Sequence, residues 1–480
     1  MSEESIAKKT ISTSIWGAFE RIITYSVQFV VTMILARLLS PTDYGIIAMI
    51  SVFIAISQQF VECGITNALI RKKDCTSVDY STAFFFNVLI GGTVYILLFL
   101  CAPIIAYFYE QEILISVIRI YGLNLIFQSF TLVQNAILTK ELKAKRIAVI
   151  ATTSSLSSGI VGIFFAYWGL GVWALVIQTL MQTIISLIGL WLSTSWRPFF
   201  VYSKESLKYL WIFGSKMLVT GIISSVYRNI YSIVIGKQYS MRDAGIFNRG
   251  QTLSELMPNI IQGIFVRNTL PIMSQVQDDR ARLEKVYREF CILVCLISFP
   301  AIFLLCVLAK PFIMFVLTEK WADSIIFVQI FCVTVITYPV NAVNLNLIQV
   351  FGRSDIILKA EIFKKTLGFL LVAVMFKRGL LYLAVGGSLM NILSYSVNLY
   401  YAKQLVGVSF REQLMDLTKP LLAAIFSAFV AILPKFIFAS YCVQLFLGGL
   451  LGLLSYVILI QYIFKIELAN RIISYILSKQ

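Results

Sequence analysis

The amino-acid sequence predicts an all-α polytopic membrane protein with about 14 transmembrane helices. Three observations support this prediction. Of the 480 residues, 59% are hydrophobic and only 13% are charged, which is much less charge than soluble chains of this length carry. Apolar runs of about 20 residues, each long enough to cross a bilayer as a helix, recur along the whole chain. A polar motif that ends the first run also returns 200 residues later, and this spacing indicates a duplicated structure.

The predicted spans are joined by short connections, and none of these is long enough to fold as a soluble domain. Helices are the expected spanning elements because they satisfy their own backbone hydrogen bonds in lipid. The longest polar connection is expected from Gln275 to Arg288. The chain starts with polar residues, so we expect no removable signal peptide. The expected spans are 15–37, 45–66, 81–108, 114–138, 147–168, 171–193, 209–236, 245–271, 290–309, 324–350, 356–376, 380–402, 418–438 and 443–464.

The distribution of Lys and Arg predicts the orientation in the membrane, because cytoplasmic loops are enriched in basic residues. With the N-terminus in the cytoplasm, 24 of the 40 basic residues fall on the cytoplasmic side and eight on the outer side. This predicts a multi-pass protein of the cytoplasmic (inner) membrane with both termini in the cytoplasm. It also explains most of the net charge of +16, so no nucleic-acid partner is expected.

The repeated motif lies at the boundary between two spans in each copy. Residues 40–45 read Ser-Pro-Thr-Asp-Tyr-Gly and residues 240–245 read Ser-Met-Arg-Asp-Ala-Gly, each three positions after a basic residue. The Ser and Asp can cap the helix that follows. We expect a structural or gating role at the outer mouth of a cavity, with substrate contact as the alternative. The residues assigned to this role are Arg37, Asp43, Gly45, Lys237, Asp243 and Gly245.

Six spans per copy would start both copies on the same side, which predicts two parallel six-helix repeats. The expected divisions are an N-terminal lobe at 1–200, a C-terminal lobe at 201–405, and two extra helices with a cytoplasmic tail at 406–480.

Polar and charged side chains inside the apolar runs are the candidates for substrate binding, because such residues are costly in lipid and usually face a cavity or a partner. Several recur at matching positions of the two copies, as Gln28 and Arg228 or Glu62 and Gln262 do. Salt bridges and interhelical hydrogen bonds are the alternative explanation, and for Arg119 a place at the membrane interface is equally compatible. The candidate cavity residues are Arg21, Tyr25, Gln28, Glu62, Arg119, Arg228, Arg249, Glu255 and Gln262.

Other buried charges have simpler explanations. Lys216 and Arg267 lie near helix ends and are expected to reach the interface, and Lys364 and Lys365 can pair with Glu361 at i+3 and i+4. The chain has no His, and its eight Cys show no metal-like spacing, so we expect packing cysteines and no metal or other cofactor, with H⁺ or Na⁺ coupling left open. No catalytic motif is present, which argues against an enzyme.

Five segments of the sequence follow a recognisable family pattern. They are Leu35-Ala-Arg-Leu-Leu-Ser-Pro-Thr-Asp-Tyr-Gly45, Gly169-Leu-Gly-Val-Trp-Ala-Leu175, Ile235-Gly236, Gly245-Ile-Phe-Asn-Arg249 and Leu270-Pro-Ile-Met-Ser274. In these segments the sequence resembles the Wzx-type oligosaccharide flippases, the polysaccharide transporter family of the multidrug/oligosaccharidyl-lipid/polysaccharide exporter superfamily. The resemblance covers nearly the whole chain. Many relatives carry an acidic residue about one turn before the Ile-Gly pair, whereas this chain has Tyr231 there.

The resemblance implies two MATE-like six-helix lobes around a central cavity that alternates between inward-open and outward-open states. It implies transport of undecaprenyl-pyrophosphate-linked oligosaccharide for O-antigen, capsule or exopolysaccharide synthesis, with a polysaccharide polymerase and chain-length machinery as further partners. The last two helices would line a groove for the lipid tail. A cation-coupled multidrug or metabolite exporter of the same superfamily is the alternative. A membrane glycosyl polymerase or ligase is less compatible, because no long outer loop is present.

Overall fold

The computed structural model describes residues 26–72, 74–263 and 267–465, and in these ranges the chain is helical with no β-strand. A π-helical turn follows α14 (Ile313–Leu317) and another follows α21 (Leu459–Ile463), and a 3-10 turn lies at Glu319–Trp321. The α-helices are α1 (Ser26–Leu38), α2 (Pro41–Glu62), α3 (Ile65–Arg71), α4 (Ser77–Tyr109), α5 (Ile113–Tyr121), α6 (Leu123–Ser129), α7 (Leu132–Lys140), α8 (Ala144–Tyr167), α9 (Val172–Ser193), α10 (Lys204–Gln238), α11 (Met241–Ile261), α12 (Arg267–Gln275), α13 (Arg280–Val307), α14 (Ala309–Phe312), α15 (Ser324–Val335), α16 (Tyr338–Val350), α17 (Ser354–Met375), α18 (Leu380–Val406), α19 (Phe410–Ile432), α20 (Pro434–Ile437) and α21 (Tyr441–Ile458).

Eleven helical segments of the described chain are long and apolar enough to cross a membrane. The three other predicted spans correspond to α1, α11 and α17, so about 14 spans remain compatible with the structure. These three helices are not among the eleven for different reasons. Helix α11 is too polar along its length, α17 carries several charges, and only 13 residues of α1 are described. The eleven segments are Pro41–Arg71, Ser77–Tyr109, Ile113–Lys140, Ala144–Tyr167, Val172–Ser193, Met217–Gln238, Arg280–Val307, Ser324–Val350, Leu380–Val406, Phe410–Ile437 and Tyr441–Ile463.

The structure corrects the predicted start of the ninth span. The polar segment before residue 290 was expected to be a connection, but α13 already begins at Arg280. Asp279 caps this start by accepting a hydrogen bond from the backbone N–H of Arg282 at 3.1 Å. The first turns of α13 are therefore a polar extension of a spanning helix, because an effective N-cap allows a helix to begin in a polar sequence.

The residues form two compact units, which meet in sequence at Gly245 and Ile246. In the first unit, the core between α2, α4, α5 and α9 is built from large buried side chains such as Ile50, Leu114 and Val176. Helix α10 belongs to this unit and packs along α2. The division lies about one helix beyond the predicted lobe boundary at residue 200, and that boundary stays a prediction.

The core of the second unit contains a hydrogen-bonded polar group. Tyr287 donates to the side-chain oxygen of Asn344 at 2.7 Å, and the Gln413 amide donates to the Tyr287 hydroxyl at 2.6 Å. Gln413 lies on α19, and α19 is also joined to α13 by a two-pronged ion pair between Arg288 and Asp416, with both N–O distances at 2.7 Å. The two helices predicted to follow the repeats are thus packed onto α13 in this unit.

Candidate functional site

The first copy of the repeated motif forms a complete capping box at the start of α2. The backbone N–H of Asp43 donates to the hydroxyl of Ser40 at 3.3 Å, and the Asp43 carboxylate accepts from the Ser40 backbone N–H at 2.9 Å. Pro41 occupies the first helical turn, where its missing N–H costs no hydrogen bond. The predicted cap is therefore confirmed.

The second copy has the same geometry at the start of α11. The backbone N–H of Asp243 donates to the Ser240 hydroxyl at 3.1 Å, and the Asp243 carboxylate accepts from the Ser240 backbone N–H at 3.2 Å. The predicted equivalence of the two motifs is thus confirmed at the level of individual hydrogen bonds.

The glycines of the two motifs bring the starts of α2 and α11 into backbone contact within the first unit. A Cβ atom on Gly45 would lie 1.7 Å from the carbonyl oxygen of Met241. A Cβ atom on Gly245 would lie 1.9 Å from the carbonyl oxygen of Pro41. Both distances are far below any real contact, so only glycine fits at either position. The two motifs are therefore reciprocal parts of one helix crossing.

Replacing Ser40 or Ser240 by Ala should destabilise the protein by about 1 kcal/mol each, because each change leaves a helix-start N–H without its acceptor. Thermal unfolding of the purified variants in detergent measures this loss. Thr418→Ala is a suitable control, since the Thr418 hydroxyl is exposed and bonds only back to Leu414 within α19. If both Ser variants unfold at the same temperature as Thr418→Ala, the caps do not stabilise the crossing.

The basic residue of the second motif forms an ion pair. Lys237 lies 2.8 Å from a carboxylate oxygen of Glu110, in the loop after α4, and its ammonium is 5.3 Å from the centre of the Phe108 ring. This hydrogen bond from Lys237 lowers the pKa of the Glu110 carboxyl from its ordinary value. Arg37, the equivalent residue of the first copy, is exposed near the end of α1.

The candidate cavity residues of the first unit differ in exposure and contact. Gln28 on α1 and Arg228 on α10 are exposed. Arg228 makes no ion pair with any residue in the described part of the chain, whereas the next residue, Asn229, faces α2 with its side-chain oxygen 3.5 Å from the Ser51 hydroxyl. The fixed contact of Asn229 holds this part of α10 on α2 and leaves the Arg228 guanidinium available.

Two further candidates of this unit contact neighbouring helices. Glu62, exposed at the end of α2, accepts a hydrogen bond from the Gln128 amide at 3.4 Å. The Arg119 guanidinium lies 4.1 Å from the centre of the Phe99 ring on α4, so it makes a cation–π contact with the membrane-spanning helix beside it. The contact of Arg119 is compatible with the interface alternative.

Two of the three candidates of the second unit, Arg249 and Glu255, are less accessible. Arg249 is only 3% exposed, and its guanidinium lies 5.0 Å from the ring of the fully buried Trp321. This placement favours a packing role for Arg249. Glu255 is half-buried and accepts from the Gln251 amide within α11 at 2.9 Å, while Gln262 is exposed.

Arg21 and Tyr25 lie outside the described residues, and the side chains of Lys216 and Arg267 are likewise not described. The predicted pairing of Glu361 is confirmed: its carboxylate oxygens lie 2.5 Å from Lys364 and 3.7 Å from Lys365.

Two polar clusters were not predicted from the sequence. Lys364 is 6% exposed and also donates to Asn398 on α18 at 3.4 Å. In the first unit, the buried carboxylate of Asp79 accepts from Lys72 at 2.7 Å and from the Ser206 hydroxyl at 2.6 Å. The sequence does carry a local pattern that includes Asp79. Thr76 and Asp79 form the Thr-x-x-Asp pattern of a capping box at the start of α4.

No group of three or more His, Cys, Asp or Glu in the described ranges is placed to hold a metal ion. Among the described candidate residues, Arg228 offers an exposed cation that forms no ion pair, and Gln28, Glu62 and Gln262 offer exposed amide and carboxylate groups. Such groups can bind an anionic, hydroxyl-rich molecule.

Comparison with known proteins places this chain in a family. The model of the family described as "Polysaccharide biosynthesis protein" matches residues 34–326, which is more than half of the chain. The chain belongs to this family. It is 25% identical over 460 residues to the lipopolysaccharide biosynthesis protein WzxC of Escherichia coli K12, covering 93% of this chain and 90% of WzxC.

Solved structures confirm the MATE-like fold that was predicted from the sequence. The lipid II flippase MurJ, in an inward closed conformation, matches with a TM-score of 0.74 at 16% identity, covering 94% of this chain and 98% of MurJ. An inward-facing multidrug resistance MATE transporter matches with a TM-score of 0.62 at 14% identity, covering 81% of this chain and 98% of the transporter. The protein is thus a multi-pass membrane protein of MATE-like fold.

Proposed function

We propose that the protein is a flippase that moves a lipid-linked oligosaccharide across the membrane by alternating access. The observation that carries this proposal is the match to WzxC along nearly the entire chain, within a family named for polysaccharide biosynthesis. The fold shared with a lipid II flippase supports it. The protein acts as a transporter and not as an enzyme, because the solved proteins that share its fold are a flippase and a transporter.

The chemistry of the proposed substrate fits the accessible groups. Undecaprenyl pyrophosphate carries adjacent negative charges, and guanidinium groups bind phosphate oxygens through two parallel hydrogen bonds. Arg228 supplies this cation, with Arg21 as its proposed counterpart, while Gln28 and Glu62 offer hydrogen bonds to sugar hydroxyls. The lipid tail would remain in the bilayer, along the helices that follow the two repeats.

The setting proposed is the inner membrane of a bacterium, with both termini in the cytoplasm. The basic residues favour this orientation, because Lys and Arg concentrate on the cytoplasmic side. In this orientation the crossing of α2 and α11 lies on the outer side and would act as part of the outer gate. A polysaccharide polymerase and chain-length machinery on that side would receive the product.

Complementation tests the proposal directly. A strain that lacks its own Wzx-type flippase should regain surface glycan when it expresses this protein, and proteoliposomes that contain the protein should transfer a polyprenyl-diphosphate oligosaccharide between leaflets.

The MATE-type fold also permits a cation-coupled exporter. Drug extrusion that is lost in Glu255→Gln, together with no transfer of the lipid-linked glycan, would favour that alternative.

A further inference from the structure

A groove of about 410 Å³ lies on the exterior of the second unit, between α17 and α18. Its polar lining consists of Lys359 on α17 and Ser396, Tyr400 and Tyr401 on α18. Phe363, one turn beyond Lys359, forms an apolar wall and is 54% exposed. The groove thus combines one cation and two phenol groups with an apolar side.

The cation and phenol groups are available for a ligand. Lys359 and Tyr400 are exposed, and neither forms an ion pair or a side-chain hydrogen bond with the described residues. The nearby carboxylate of Glu361 is already paired with Lys364 and Lys365, on other sides of α17. The groove lining contains no carboxylate, so its charge is positive and complementary to an anion.

The polar groups lie at matching depth on the two helices. Lys359 is five residues from the start of α17, about 7.5 Å along the axis, and Tyr400 is six residues from the end of α18, about 9 Å. The interfacial layer of a bilayer is about 5 to 8 Å thick on each side, and Tyr is enriched there. With these helix ends at the membrane surface, the groove would lie where lipid headgroups meet the hydrocarbon core.

A strip of exposed apolar residues continues from the groove towards the middle of the membrane. Leu370 lies two turns beyond Phe363 on the same face of α17 and is 58% exposed. Ile392 lies one turn before Ser396 on α18 and is also exposed. This strip offers a path for an acyl chain below the polar end of the groove.

We propose that this groove binds an anionic phospholipid, with Lys359 and the hydroxyls of Tyr400 and Tyr401 donating to its phosphodiester and the acyl chains lying along the apolar strip. In the orientation proposed above, this end of α17 and α18 lies on the cytoplasmic side, where basic pockets between helices bind anionic headgroups. The site belongs to the second unit alone and does not depend on the proposed transport function.

Binding of phosphatidylglycerol and phosphatidylcholine to the full-length protein in detergent, measured by native mass spectrometry, tests the site. The wild type should prefer phosphatidylglycerol. Lys359→Ala should weaken that binding about fivefold, and Tyr400→Phe should weaken it less. Lys403→Ala is the matched control, because Lys403 is exposed at the same end of α18 but does not line the groove.

Three results would overturn the proposal. These are equal binding of the two lipids, a preference for phosphatidylglycerol that Lys359→Ala leaves intact, and displacement of phosphatidylglycerol by an equal concentration of polyprenyl diphosphate. The last result would assign the groove to the transported substrate. Since Lys359 and Tyr400 are both exposed, their variants should fold, and the thermal unfolding midpoint without added lipid verifies this.

Discussion

Gly45→Ala is expected to disrupt the first unit, although it adds a single methyl group. The new Cβ atom would lie 1.7 Å from the Met241 carbonyl oxygen, and this partner is backbone, which no side-chain rotation can move. The starts of α2 and α11 would have to separate. Overpacking of this kind typically costs about 1–3 kcal/mol, and a backbone clash belongs at the upper end of that range. Thermal unfolding and the yield of monodisperse protein should both fall.

Gly92→Ala is the matched control for this experiment. Gly92 lies inside α4, and nothing lies within 4 Å of the position that its Cβ would take. Since Gly is a poor helix former, Ala there should stabilise the protein by about 0.5–1 kcal/mol. The two substitutions are chemically identical but should have opposite effects. If Gly45→Ala and Gly92→Ala behave alike, the close crossing of α2 and α11 does not exist in the folded protein.

The caps could be predicted from the sequence but the crossing could not. A capping box depends on residues three positions apart, so Ser40 and Asp43 predict it locally. The approach of Gly45 to Met241 depends on residues about 200 positions apart, and no local pattern encodes that distance. The repeat indicated only that the two sites are equivalent.

The same distinction applies to the charged candidates. The pairing of Glu361 with Lys364 follows helical spacing and was predicted correctly. The contact of Arg249 with Trp321 and that of Lys237 with Glu110 join different helices, so the sequence identified the charges without their partners. The early start of α13 did have a local signal, the N-cap Asp279, which was outweighed by the charges in the turns that follow it.

Arg228→Ala is expected to slow export of the lipid-linked oligosaccharide strongly while leaving the fold intact. The side chain is exposed and forms no ion pair in the described structure, so its removal should leave the unfolding temperature nearly unchanged. Hydrogen bonds to charged groups contribute about 1.5–3 kcal/mol, so the loss of the guanidinium should slow transport about tenfold to a hundredfold. Transfer of a polyprenyl-diphosphate oligosaccharide in proteoliposomes measures this change.

Two further variants separate a phosphate ligand from a general effect of charge. Arg228→Lys keeps the charge but loses the planar fork, so it should restore transport only in part. Lys208→Ala removes an exposed cation from the first turns of the same helix and should leave transport unchanged. Full activity of Arg228→Ala would exclude Arg228 as a substrate ligand. Equal loss in Arg228→Ala and Lys208→Ala would mean that α10 contributes only its overall positive charge, because a specific diphosphate ligand must act from one position and with one geometry.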